Sequence, residues 1–276
     1  MRAIWIAALA VPIVAAPAAA QDAPAIPLQP SGKWTVTYAE SLCVIGRDFG
    51  EGDQLTTVAL RPGVLNTTMS VVVAQSAKAG RPSSTVLKGA IEGDSGGPGI
   101  DLYFTSRLDD VTKRLISISA DTSGDVMAML AASKTATIKI GQRQFAIAVT
   151  VTPAVSSAFK ACQNDLISRW GIDPAKLALV ATQPVPNTSP GAWVRTSDYP
   201  KEALRQNKSG AVTIVYRVTP EGRVADCKPV WTSNVASIDE MTCRKFEERG
   251  RYAPGRDSSG QPIDSWQTAR ARWSVG

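Results

Sequence analysis

Residues 211–231 read AVTIVYRVTPEGRVADCKPVW. Val212, Ile214, Tyr216 and Val218 recur at every second position, the period of a strand with one face on a core. Pro220-Glu221-Gly222 is a tight turn, and Arg223–Trp231 is the return strand of a hairpin. Upstream, YPKEALRQN at 199–207 predicts a short helix that ends before Gly210. Downstream, Ser237-Ile238-Asp239-Glu240 has the Ser-x-x-Glu spacing of a capping box, which predicts a second helix to about Arg249. Ala253-Pro254-Gly255 breaks the chain, and Gln267–Val275 closes it as a strand with Ala269, Ala271, Trp273 and Val275 on one face. The order helix, hairpin, helix, strand predicts two helices on one face of a three-stranded antiparallel sheet, which buries both apolar surfaces.

The rest of the chain has a different texture. From Gly32 to about Ile140, short alternating runs are separated by turn clusters. Trp34, Val36 and Tyr38 form one run; Met69–Val73, Leu102–Phe104 and Leu115–Ser119 are others. Arg61-Pro62-Gly63 and Gly80-Arg81-Pro82 read as turns between them. Asp125–Ala132 predicts a short helix capped by Ser123. Thr135–Val151 reads as a hairpin turning at Gly141. Pro153–Trp170 is the clearest helix of this half, with Thr152 as N-cap, Pro153 at the first position and Gly171 after its end. Val155, Phe159, Cys162, Leu166 and Trp170 share one face of it. The fold class expected is α+β: a mainly antiparallel β domain over residues 29–172 that ends in a helix, plus the small α+β domain over 194–276. Between them, residues 173–193 carry Pro184, Pro186 and Pro190 and read as an exposed linker.

The chain opens MRAIWIAALAVPIVAAPAAAQDAP. Arg2, an apolar run from Ile4 to Val14 and Ala18-Ala19-Ala20 predict a secretory signal peptide over residues 1–20, leaving no stable membrane span after cleavage. The four cysteines, Cys43, Cys162, Cys227 and Cys243, all follow it, so disulfides are expected. Three pairings are possible, and the domain organisation favours Cys43–Cys162 and Cys227–Cys243. In a chain-entropy account the first contributes roughly 4–5 kcal/mol and the second roughly 3. The cysteines are far apart and histidine is absent, which argues against a metal site, and no cofactor motif is present. The net charge is +6, and residues 191–276 hold 14 Lys/Arg against 10 Asp/Glu, a mild excess of +4. That excess suits an acidic partner or a solvated face.

Glu92–Ile100 contains GDSGGP, the surroundings of a serine-protease nucleophile. A serine hydroxyl needs a positioned base, and the chain has no histidine. A dyad with Lys88 has no support in spacing. Ser95 is read as a loop residue between strands, and a serine hydrolase as a remote alternative. Asp109-Asp110 reads as a solvated turn.

Tyr199, Pro200, Ala203, Gly210, the run Val218–Val224 and Arg251–Gly255 together resemble the C-terminal domain of TonB-like proteins, over residues 195–276. The resemblance implies a periplasmic, non-enzymatic protein of a Gram-negative bacterium. It implies an outer-membrane TonB-dependent transporter, or another envelope protein, as partner, with a role in energy transduction and transport, and no nucleic acid. It also implies recognition by strand addition, in which an extended peptide pairs with a free sheet edge. The last strand, Trp266–Trp273, is then the docking edge, with Trp266, Thr268, Arg270 and Arg272 as candidate binding residues. Three features depart from a full energy transducer: the N-terminal segment lacks the polar histidine of a membrane anchor, the proline-rich spacer is short, and Thr196-Ser197 stands where Gln-Pro often precedes Tyr-Pro. A second expectation is therefore an exported envelope protein that binds a ligand or peptidoglycan and takes no part in energy transduction.

Overall fold

The structure, a computed structural model, describes residues 26–39 and 42–275. The signal peptide expected over 1–20 lies outside them. The architecture is α+β. Nine strands form one antiparallel sheet: β1 (Thr35–Ala39), β2 (Leu42–Phe49), β3 (Thr56–Pro62), β4 (Met69–Ser76), β5 (Ser83–Gly93), β6 (Ile100–Leu108), β7 (Arg114–Ser119), β8 (Thr135–Ile140) and β9 (Arg143–Ala148). Their spatial order is β1-β2-β3-β4-β7-β6-β5-β8-β9. Residues 28–31 stitch the last strand to the second. The Leu28 N–H donates to the Ala146 carbonyl (2.8 Å), the Ala148 N–H to Leu28 (2.9 Å), and the Gly50 N–H to Gln29 (2.8 Å). The sheet thus closes through residues 28–31, which pair with the edge of β9, while β1 keeps β2 as its strand partner.

The barrel core is built from the inward residues of these strands, among them Ile45, Phe49, Leu60, Val73, Leu102, Phe104, Ile138 and Ile147. Helix α1 (Val126–Ala132) buries Val126 and Leu130. Its cap is Asp125, whose Oδ1 accepts from the Ala128 N–H (2.8 Å), and not Ser123. Helix α2 (Pro153–Arg169) starts as expected, with Thr152 Oγ1 accepting from the Val155 N–H, and Gly171 takes φ +71° after its end. Phe159, Cys162 and Leu166 are its buried face against the barrel. The cysteines pair as Cys43–Cys162 (S–S 2.03 Å) and Cys227–Cys243 (2.01 Å). Strand β3 runs through Arg61 and Pro62, so the expected turn moves to Gly63–Thr68.

The C-terminal unit holds α4 (Lys201–Arg205), β11 (Gly210–Val218), β12 (Val224–Trp231), α5 (Ala236–Arg249) and β14 (Ser265–Trp273), with the sheet in the order β12-β11-β14. Between the units lie α3 (Pro174–Leu177) and β10 (Val185–Pro186). Strand β10 pairs with β13 (Tyr252–Ala253), and the Thr182 and Arg256 main chains exchange hydrogen bonds of 3.0 and 2.9 Å. Trp193 is 3% exposed, inside the C-terminal core. Residues 181–193 are largely exposed, as expected of a linker, but they run as an arm bonded along this unit rather than as a free tether. Its prolines read as linker, yet a two-residue edge pairing tolerates them because it asks for few N–H donors.

The core under the helices is aromatic. Trp193 meets Phe246 and Tyr252 edge-on (5.3 and 5.5 Å), and Tyr199 meets Trp273 (5.3 Å). The hydroxyls of Tyr216 and Tyr252 share a 2.6 Å hydrogen bond in the interior, which satisfies both. Gly222 (φ +75°) explains how two separated sequence segments meet. A Cβ there would lie 2.0 Å from the Tyr252 carbonyl oxygen, and the Gly222 carbonyl accepts from the Tyr252 N–H (2.9 Å). Helix α5 begins two residues earlier than the capping box implies, at Ala236 behind Val235. Asp239 turns back to accept from the Ser233 N–H (3.0 Å) and the Thr232 hydroxyl, so the Ser237–Glu240 capping box does not form.

Asp198 fastens the arm and the first helical turn to α5. Arg249 donates to its two oxygens at 2.6 and 2.8 Å, and the Arg195 N–H adds a third bond at 2.8 Å. The Arg249 guanidinium holds the Asp198 carboxyl at about 2, below its ordinary 3.8. A depressed carboxyl stabilises the fold above its unfolded pKa and loses that contribution as pH falls through the folded value. Asp198→Asn is expected to lower the unfolding free energy at pH 7 by about 2 kcal/mol. Thermal melts should show the gap between wild type and variant closing between pH 4 and pH 2. A gap constant over that range would show that the ion pair is not its source.

Candidate functional site

The C-terminal sheet has two edge strands, and they are unlike. Strand β12 is blunted: it holds Pro229, its register with β11 shifts twice, and Asp226 in the irregular stretch takes φ +51°. The Cys227 N–H is also occupied, donating to Glu247 Oε1 (3.0 Å). These are the devices by which proteins protect an edge from pairing. Strand β14 has none of them. Its nine residues run in unbroken register with β11, from Ser265 opposite Val218 to Trp273 opposite Gly210, with no proline.

The direction of the β14 main chain follows from two side contacts. The Ile214 carbonyl accepts from Thr268 Oγ1 (2.9 Å), so it points toward β14. On the other side Ile214 is aligned with Pro229, which has no N–H to give. Ile214 is therefore hydrogen-bonded to its β14 partner, Ala269. Alternation then turns the main-chain N–H and C=O of Trp266, Thr268, Arg270 and Arg272 outward, onto the open edge. The four residues read from the sequence are those whose backbone faces away from the sheet.

Their side chains share the helix-free face, and there the structure separates them. Thr268, Arg270 and Arg272 are exposed, and among the described residues neither arginine has an ion-pair partner within 4.0 Å. Trp266 is half-buried. It packs in a small core that joins the two units: Val64 and Leu65 of the β3–β4 turn, Ile167 of α2 and Ile172 meet Val215 and Val230 of the sheet. Lys228 adds a hydrogen bond from its ammonium to the Trp170 carbonyl, at the end of α2. Beside this core a slot of about 300 Å³ opens along β14, lined by Arg61, Thr68 and Asp121 of the barrel and by Thr213, Trp231 and Arg270 of the sheet. The barrel residues were missed because Arg61-Pro62-Gly63 reads as a turn and nothing in it points to a distant strand.

GDSGGP forms the loop between β5 and β6. Asp94 ties the loop down by accepting from the main chains of Lys134 (2.8 Å) and Thr135 (3.1 Å) and from the Thr135 hydroxyl (3.0 Å). The Lys134 N–H in particular holds the Asp94 carboxyl below its ordinary range. Ser95 is exposed and meets Ser133 Oγ at 3.5 Å. Lys88 lies five residues before the end of β5 at Gly93, roughly 17 Å along an extended strand. It faces Asp101 at 4.0 Å on the surface. Asp109 accepts from the N–H and hydroxyl of Thr112 (both 2.7 Å) in the β6–β7 turn.

Residues 195–275 match the family model described as the Gram-negative bacterial TonB protein C-terminal. The C-terminal unit is a TonB C-terminal domain. No curated protein matches the chain. The TonB C-terminal domain is a periplasmic, non-enzymatic interaction domain of Gram-negative bacteria that binds outer-membrane proteins. The match begins at Arg195, so the barrel lies outside it. Among the described residues no helix is long and apolar enough to cross a membrane.

The outward and inward main-chain positions of β14 are separable by proline. Ala269→Pro removes an N–H that bonds β11 and should cost roughly 3 kcal/mol or more. Thr268→Pro removes an outward N–H and should cost clearly less. Urea unfolding of the two variants checks this; equal costs would mean that the edge has been assigned to the wrong set of residues.

Proposed function

We propose that this chain is an exported periplasmic TonB-like protein that takes an extended segment of an outer-membrane TonB-dependent transporter onto the edge of β14. The observation that carries the reading is the contrast between the edges. β12 is bulged, proline-bearing and capped, whereas β14 is regular, long and open. A strand added there gains main-chain hydrogen bonds from Trp266, Thr268, Arg270 and Arg272, and alternate side chains set specificity. Arg270 and Arg272 favour an acidic segment and keep the unoccupied edge soluble. The barrel packs against the sheet face beside the start of β14, through Val64, Leu65, Ile167 and Ile172.

The reading is non-catalytic: the sequence holds no histidine to take a proton from Ser95, and Lys88 stands roughly 17 Å along β5 from the end of that strand. A second reading, ligand capture by the barrel, draws on a cleft of about 590 Å³ between α2 and the β3–β4 turn. Lys160, Gln163 and Asn164 line it beside Phe159, and its size suits a small ligand.

The mature full-length chain, used as bait on detergent-solubilised outer membranes, is expected to retain TonB-dependent transporters. The Thr268→Pro/Arg270→Pro variant should lose them while keeping its melting transition. A folded bait that retains no transporter would end the strand-addition reading and leave the cleft as the better candidate.

A further inference from the structure

We infer that the N-terminal barrel is part of the reader. The slot between its Gly63–Thr68 turn and the C-terminal sheet takes one acidic side chain of the strand that pairs with β14. The inference rests on the strand-addition reading above and adds to it a second surface and a side-chain requirement.

The floor of the slot is a cross-strand row. Trp231, Thr213 and Arg270 stand opposite one another on β12, β11 and β14, on the helix-free face. A fourth strand on the open edge extends that row by one residue. Same-face side chains on neighbouring strands lie about 5 Å apart, so the added residue stands beside Arg270 at the mouth of the slot. The roof and wall come from the barrel. Thr68, at the end of the turn, and Arg61, at the end of β3, line the same space.

The roof is preformed. The Gly63 N–H donates to the Thr68 carbonyl (2.9 Å) and the Asn66 N–H to the Gly63 carbonyl (3.0 Å). A Cβ at Gly63 would lie 2.2 Å from Thr68 Oγ1, so a larger residue there displaces the Thr68 hydroxyl that lines the slot. Val64 and Leu65, on the other side of the same turn, are buried in the core that joins the units. The turn therefore cannot shift without opening that core, and a ligand meets a surface that needs no ordering.

The charge of the slot names its occupant. It holds two guanidinium groups, Arg61 and Arg270, and one carboxylate, Asp121, for a net +1. The two oxygens of Asp121 accept from the hydroxyls of Ser70 and Thr68, so the carboxylate is held within the barrel. Arg61 gives a single hydrogen bond, to Ser70 Oγ at 3.3 Å, and among the described residues the Arg270 guanidinium gives none. Two arginine forks with spare donors and one uncompensated positive charge fit one glutamate or aspartate. A neutral amide of the same shape leaves the charge unmet.

Two fluorescent eight-residue peptides of alternating threonine and valine serve as probes, one carrying a single glutamate and the other glutamine at that position. On the full-length protein the glutamate peptide should bind about tenfold tighter, the scale of a charge-assisted hydrogen bond. Arg61→Gln should bring the ratio close to one, by weakening the glutamate peptide far more than the glutamine peptide. Where Arg61→Gln lowers the melting temperature, Thr67→Glu, at an exposed turn position lining the same slot, makes the same test by opposing the acidic side chain. A glutamate preference untouched by both variants overturns the role of the barrel and leaves strand addition standing. Absence of binding by either peptide to the folded wild type overturns strand addition, and this inference with it.

Discussion

Strand β11 is buried on both faces, and most of the architecture follows from that. Val212, Ile214, Tyr216 and Val218 face the helices, and Val215 on the other face is 1% exposed. A three-stranded sheet with helices on one side only would leave Val215, Val230 and Trp266 in water. Each fully buried aliphatic of this kind is worth about 1.5–3 kcal/mol. The barrel supplies the missing layer, through Val64 and Leu65 of one turn and Ile167 and Ile172 at the end of α2. The TonB C-terminal domain is thus sandwiched between its own helices and a foreign unit.

That sandwich restricts where a partner can go. The helix side is filled by Phe246, Trp193 and Tyr199, and the first part of the opposite face by the barrel. The end of β14 and the slot beside it remain. The arm from 181 to 187 contributes to the same restriction. It bonds to 251–256, and Gln183 Oε1 accepts from the Gln267 amide (3.1 Å) near the start of β14. The segment that reads as a tether is therefore bonded along the C-terminal unit beside the start of β14. An extended partner has its freest access along Thr268–Trp273, past the turn of the barrel, and reaches Trp266 beside the arm.

Local signals made the C-terminal unit legible. Tyr-Pro, the Pro-Glu-Gly turn and Arg-Tyr-x-Pro-Gly each specify backbone geometry within a few residues. Gly222 against Tyr252 shows that two of them are one contact. The long helix α2 was equally plain, because Thr152, Pro153 and Gly171 mark its ends. Strands β2, β3 and β5 were not seen. Their faces mix polar and apolar residues, as in Arg47 and Asp48 of β2 or Lys88 and Gly89 of β5. The two cap readings failed differently: Asp125 rather than Ser123 caps α1, whereas no side chain caps α5 and Asp239 instead holds the Thr232–Ser233 loop. Val215 was the available hint of a second buried face, an apolar residue out of phase with its neighbours. Alternation on the helix side concealed it.

The contrast between the two edges of the sheet bears on how such a surface can persist unpaired. An exposed regular strand is an aggregation hazard, and proteins ordinarily bulge it, cap it or close it. The barrel is closed by residues 28–31, and β12 is bulged, so both of those edges are managed by backbone geometry. β14 is managed by charge alone, with Arg270 and Arg272 at two of its four outward positions. Charge is the one protection that an acidic partner removes on arrival. Two copies of this chain repel one another edge to edge, while a segment carrying carboxylates is drawn in. The same arginines therefore keep the edge open and select what closes it.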